Sequence, residues 1–180
     1  MTSTQAHNGL DGRHLQIGTF LYDGVDQIDV TGPFEVLTRL PNSTHRFYAV
    51  EDRPIRDIMG MRLLPDTTLA NAPQLDILHA PGGPGNEPLT DDETVLSWLR
   101  SQANGAVAVF SVCTGALLLG SAGLILGRRA TTHWTTHHLL SSFGATSVKE
   151  RVVRDGTYLF AAGVTAGIDG ALQLAADLRG

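Results

Sequence analysis

The sequence predicts an α/β fold, a mostly parallel central sheet with an added β-hairpin. Three observations carry that expectation. Short apolar runs suited to buried strands alternate with stretches of helical periodicity. Glycine and proline punctuate the boundaries between them. Asp155-Gly156, a strong two-residue hairpin signal, lies between two further strand-like runs.

Leu15 to Leu21 is the first strand, and Asp23-Gly24 breaks it. Gln27 to Leu40 carries apolar residues at Ile28, Val30, Phe34, Val36, Leu37 and Leu40, the spacing of an amphipathic helix. Pro33 fits best in a first turn, so the regular helix is expected to start near Thr31 or Gly32. His45 to Val50 is a second strand, and Pro54 to Leu64 a hairpin turning at Met59-Gly60. Leu75 to Ala80 is a third strand that runs into Pro81-Gly-Gly-Pro-Gly85. Asp91 to Ala103 is a helix with acids in its first turn, where the helix dipole favours them. Ala106 to Ser111 is a strand that leads through Cys113 into a helix ending at Gly120 or Gly123. A further helix is expected from His133 to Phe143, closed by Gly144. Val148 to Arg154 and Thr157 to Ala162 form the added hairpin, and Ala166 to Leu178 a last helix.

The chain has 180 residues, enough for one domain with a proper core. We read residues 1–14 as a flexible polar tail and residues 15–180 as the domain. Hydrophobic residues make up 42% and charged residues 17%, the composition of a globular chain and not of a disordered one. The net charge of -5 implies no basic face, which argues against nucleic-acid binding by this domain. A single cysteine excludes an intrachain disulfide and any multi-cysteine metal site, and fits a cytoplasmic protein. No apolar run reaches the length of a membrane span, and residues 1–12 lack the apolar stretch of a secretory signal.

Ligands of open parallel sheets bind outside the carboxyl ends of the strands. Three features map to that edge. Cys113 sits on a strand-turn-helix junction, next to free N–H groups that favour a thiolate. It is either a nucleophile on such an elbow or an inert buried thiol. Gly82 and Gly83, in the turn after the third strand, can bring backbone N–H groups close to developing charge. The turn is neither a dinucleotide nor a P-loop motif. Asp23, Asp26 and Asp29 follow the first strand, and one of them can face the thiol. Asp29 lies between Ile28 and Val30, where desolvation would raise its pKa and make it a proton donor. His133 and His137 are four residues apart, a possible metal pair on one helix face, but no third ligand is evident and no metal is assigned. His79 ends a strand and could reach the site.

Ser111-Val-Cys-Thr-Gly-Ala-Leu-Leu-Leu-Gly120 and Gly127-Arg-Arg-Ala-Thr-Thr-His-Trp134 resemble the ThiJ/PfpI family of the class I glutamine amidotransferase-like fold. Gln27-Ile-Asp-Val-Thr-Gly-Pro-Phe-Glu-Val36, Ala80-Pro-Gly-Gly83 and Gly163-Val-Thr-Ala-Gly-Ile-Asp169 fit the same pattern, and within the family it is nearest to the isonitrile hydratases. The resemblance implies a flavodoxin-like three-layer sandwich and a lyase with Cys113 as nucleophile, Asp29 assisting it and Thr114 in the site. The amides near Gly83 and Thr114 would cradle developing charge. It implies a small-molecule substrate, no cofactor and a homodimer. Proteolytic members carry His directly after the cysteine; this chain has Thr114. Members with glyoxalase or deglycase activity usually carry Glu at the position of Asp29. The family usually continues with further helix past Leu178, so the domain reads as one that ends early. The same cysteine motif occurs in AraC-type transcription regulators, fused to a DNA-binding domain. Three functions therefore stand: an isonitrile-hydrating enzyme, a ligand-sensing domain of such a regulator, and a redox or stress protein with a low-pKa thiol.

Overall fold

The computed structural model describes residues 12–180. In chain order the strands and helices are β1 Leu15–Phe20, α1 Gln27–Leu37, β2 Ser43–Ala49, β3 Ile55–Arg56, β4 Arg62–Leu63, β5 Thr67–Thr68, β6 Ile77–Ala80, α2 Glu93–Gly105, β7 Ala108–Val112, α3 Gly115–Ser121, β8 Arg129–Ala130, β9 Thr146–Ser147, β10 Val152–Asp155, β11 Tyr158–Ala161 and α4 Ala166–Arg179. Most of the expected tail at 1–14 lies outside the described residues. At its end, His14 hydrogen-bonds Asn42 and Thr44, and Arg13 pairs with Asp76.

The central sheet has seven strands in the order β10-β11-β7-β6-β1-β2-β5, parallel throughout except for β10–β11. Successive side chains of each strand go to opposite faces, so two cores form. On one face Ile17, Ile77 and Phe110 meet Leu37 of α1 and Leu174 of α4. On the other, Phe20, Leu78 and Val109 meet Leu99 of α2 and Leu118 of α3. This is the three-layer flavodoxin-like sandwich. Because β1 has β2 on one side and β6 on the other, the connections after β1 and β6 diverge to opposite sides, opening a crevice at the carboxyl ends.

Four local expectations change. Helix α1 starts at Gln27, not near Thr31, because the Asp26 carboxylate caps it by accepting from the Ile28 amide at 3.3 Å. Pro33 then lies inside the helix, against Gly167 at the α1–α4 crossing. The early start places Asp29 in the first turn. The expected helix at His133 to Phe143 is a 3-10 segment, Trp134–Phe143, with His133 just outside it. Threonine and histidine are weak helix formers, and here Thr136 Oγ1 bonds back to the His133 carbonyl at 3.0 Å. At three residues per turn, positions four apart no longer share a face, so His133 and His137 are not a ligand pair. The added hairpin turns at Gly156 and Thr157, since Asp155 still pairs with Tyr158. The Asp155 carboxylate instead accepts from the Arg129 amide at 2.7 Å. Residues 148–151 fall outside the strand.

Candidate active site

Strand β7 is buried along its whole length, and the chain must turn sharply to enter α3. Cys113 makes that turn with φ at +58°, a conformation that costs a non-glycine residue roughly 1–3 kcal/mol and persists only where its surroundings enforce it. They do so from both sides. The Cys113 amide donates to the Ala161 carbonyl at 2.9 Å, and Thr132 Oγ1 donates to the Cys113 carbonyl at 2.8 Å.

Asp29 is fully buried beside this turn. Its Oδ2 accepts from the Gly82 amide at 3.1 Å and its Oδ1 from the Val164 amide at 3.0 Å. The Cys113 thiol lies on the same side, close enough for the carboxyl and the thiol to shift each other's ionisation. Asp29 is thus held by the turn after β6 and the turn after β11, beside the cysteine elbow. Val164 takes φ at +51° to present its amide, a second strained non-glycine residue at the same spot.

Only glycine fits the position after Pro81. A Cβ at Gly82 would lie 2.6 Å from the Thr114 amide nitrogen, 2.7 Å from Cys113 Cβ and 2.8 Å from Asp29 Oδ2. Gly83 has φ at +137°, which favours glycine, and its amide donates to Thr114 Oγ1 at 2.9 Å. The expectation that the amides of Gly82 and Gly83 wait open for a substrate's charge does not match this geometry. Both already donate inside the protein, one to Asp29 and one to Thr114. Their observed part is to orient those side chains. Asn86 completes the anchoring of Thr114, donating to its carbonyl at 2.8 Å and its hydroxyl at 3.0 Å. The Thr114 amide, next in the chain, eases ionisation of the thiol.

The electrostatics reverse one expectation and bear out another. Burial, then the charge of Asp29, pushes the Cys113 thiol up to about 12, against the smaller pull of the Thr114 amide. The helix terminus does not make this a low-pKa thiol, because α3 is only seven residues long and the sulfur is dehydrated. Burial and the charge of Asp26 push the Asp29 carboxyl up to about 7, against the amides of Gly82 and Val164 and the thiol.

Cys113 opens onto a cavity of about 570 Å³, with Thr114 beside it. Pro84, Leu117, Leu139, Phe143 and Val164 supply apolar wall, and Asp26, Glu87 and His133 polar wall. Asp29 lies behind the thiol, outside the lining. His133 reaches the site unforeseen. A Cβ at Gly163 would be 3.1 Å from its Cδ2 and 3.6 Å from Cys113 Sγ. The Ala130-Thr-Thr-His-Trp134 segment was legible as a motif without a role. His79 does not reach the site; it is buried in the sheet, stacked on Phe110. Asp23 faces away, paired with Arg53 at 2.8 Å. Among the described residues no group of three or more His, Cys, Asp or Glu is placed to hold a metal ion.

Comparison with known proteins adds four findings. The model of the DJ-1/PfpI family matches residues 16–177. The isonitrile hydratase of Pseudomonas putida is 49% identical over 166 residues, covering 92% of this chain and 73% of that protein. A ThiJ/PfpI family protein from Pseudomonas syringae superposes with a TM-score of 0.90 at 33% identity, covering 99% of this chain and 75% of its own. At lower identity, 30%, stands the HTH-type transcriptional regulator CdhR of Pseudomonas aeruginosa, of which this chain spans 46%.

Proposed function

Since the chain belongs to the DJ-1/PfpI family, we propose that it is an isonitrile hydratase, converting R–N≡C and water to an N-substituted formamide through Cys113. The pairing of Cys113 with a buried Asp29 at the floor of a largely apolar cavity carries the reading, and the 49% identical hydratase supports it. An isonitrile has an apolar R group and needs no charged recognition, which suits that wall.

The steps follow from the two ionisations. A thiol near 12 does not ionise alone at neutral pH, so it needs a base in contact with it. The Asp29 carboxylate takes the thiol proton as sulfur attacks the terminal carbon, forming the C–S bond. Asp29 then returns that proton to the same carbon, giving a thioimidate, R–N=CH–S. Water adds across the C=N bond, its oxygen to carbon and a proton to nitrogen. The adduct expels sulfur, which leaves with the hydroxyl proton, and R–NH–CHO departs. A carboxyl near 7 suits both directions of the transfer, because its two forms are nearly equal in free energy at working pH. Thr114 holds the elbow through Gly83 and Asn86.

The purified protein incubated with alkyl and aryl isonitriles, with formamide read by NMR, tests the proposal. Turnover that disappears in Cys113→Ala, with the fold retained, is the expected result. Wild-type turnover no faster than buffer, or undiminished in Cys113→Ala, overturns it; methylglyoxal in a parallel assay reveals a glyoxalase instead. The raised thiol counts against a sensor of oxidants. The regulator resemblance is the weaker one, at 30% identity.

A further inference from the structure

The Tyr22 ring is 5% exposed, at the end of the segment that leaves β1, and packs on Phe20 with centroids 5.3 Å apart. Its hydroxyl donates to the Pro81 carbonyl at 2.9 Å. That carbonyl and the Gly82 amide belong to one peptide unit. The amide end of the unit donates to Asp29 Oδ2. One planar group is therefore held at both ends, by Tyr22 on one side of the turn and Asp29 on the other. The next peptide is held likewise: the Gly82 carbonyl accepts from the Asp26 amide at 2.8 Å and the Gly83 amide donates to Thr114.

We propose that Tyr22 is a positioning residue of this site: by holding the Pro81 carbonyl, its hydroxyl keeps the Gly82 amide aimed at Asp29. Two physical effects act in the same direction. Without a Cβ at Gly82, rotation of the Pro81–Gly82 peptide has little steric barrier, so the tyrosine hydroxyl supplies the restraint. A hydrogen bond to a carbonyl also polarises its peptide and strengthens the donor at the other end. Both favour the ionised form of Asp29. The charged and titratable groups facing Asp29 are Asp26 before it in the chain, Cys113 from the elbow and Tyr22 itself, with the neutral amides of Gly82 and Val164. His133 stands beyond Gly163 across the cavity. Tyr22 is buried and raised well above the ordinary tyrosine value, so it acts as a neutral donor.

The consequence for turnover rests on the role proposed for Asp29; the consequence for its ionisation does not. Tyr22→Phe removes one oxygen and keeps the ring. The Asp29 carboxyl is followed by 13C NMR against pH, its signal assigned by its loss in Asp29→Asn. Tyr158→Phe, at a buried tyrosine outside the site, controls for loss of a core hydroxyl. The expected result is an upward move of the Asp29 midpoint by about half to one pH unit in Tyr22→Phe, with no such move in Tyr158→Phe. The limb of the isonitrile pH–rate profile governed by Asp29 moves with it. An Asp29 midpoint that moves no further than in the control overturns the proposal. If the midpoint moves but no isonitrile is turned over, Tyr22 keeps its role and the hydratase reading fails.

Discussion

Asp29 Oδ2 and Cys113 Cβ crowd the same side of Gly82, 2.8 Å and 2.7 Å from where its Cβ would lie; the carboxylate makes the thiol harder to ionise, whereas the thiol eases ionisation of the carboxyl. The pair therefore holds two protons below about pH 7 and one proton above it. If the one-proton form starts the reaction, activity follows the carboxylate. We predict that kcat/KM falls as pH drops through about 7, with Asp29 as the controlling group. Asp29→Asn should cut the rate by about 10²–10⁴-fold and abolish that limb. A profile that instead falls above 7 would show that Asp29 must begin protonated, and would sink the shuttle described above.

Gly82→Ala should be nearly as damaging as a change to the reacting groups. Its methyl would press at once on Thr114, Cys113 and Asp29. The expected cost is roughly 1–3 kcal/mol of stability, with a loss of turnover on the order of a hundredfold because the thiol and carboxyl are displaced. Chemical denaturation and alkylation of Cys113 by iodoacetamide separate the two effects. Near wild-type turnover in Gly82→Ala would refute the tight packing of this turn.

Much of this was legible from residue order. The cysteine elbow needs only a buried strand, a small-residue turn and a helix, all of which are local patterns. Asp29 was legible because it is an acid among apolar neighbours. Tyr22 and Val164 were not, because their parts depend on a hydroxyl and an amide reaching across from turns remote in sequence. The direction of the Cys113 shift was misread for the same reason: the helix N-terminus is local, whereas burial and Asp29 are tertiary. The 3-10 segment at Trp134–Phe143 escaped because its apolar spacing suits an α-helix equally well.

The cavity should discriminate by charge. Asp26 and Glu87 line it, and no lysine or arginine is among its lining residues. An isonitrile bearing a carboxylate should have a kcat/KM about tenfold below that of its methyl ester. Glu87→Gln should narrow the gap, and so should added salt, because Glu87 is exposed and its field is screened. Competition assays with the acid and ester pair measure the ratio. Equal values for the two would refute charge discrimination.

Acid should destabilise this fold through two histidines remote from the reaction. Thr19 Oγ1 bridges His45 Nε2 at 2.7 Å and His79 Nδ1 at 2.9 Å, under Phe34 and Phe110. Burial pushes His45 down to about 4 and His79 to about 3. Both must stay neutral in the fold, whereas the unfolded chain protonates them near 6.5. Their contribution is therefore full above 6.5 and is lost as pH falls toward 4. Asp29 acts oppositely, since its raised carboxyl binds a proton in the fold before it does so in the unfolded chain. Near pH 7 the two effects nearly cancel, and only around pH 5 do two histidines against one carboxyl leave close to one extra proton on the unfolded state, a slope approaching about 1.4 kcal/mol per pH unit. Urea midpoints at pH 7, 6 and 5 measure it. His79→Gln, which can still bond Thr19 but does not titrate, should remove most of the slope. An unchanged slope in that variant would place the acid sensitivity elsewhere.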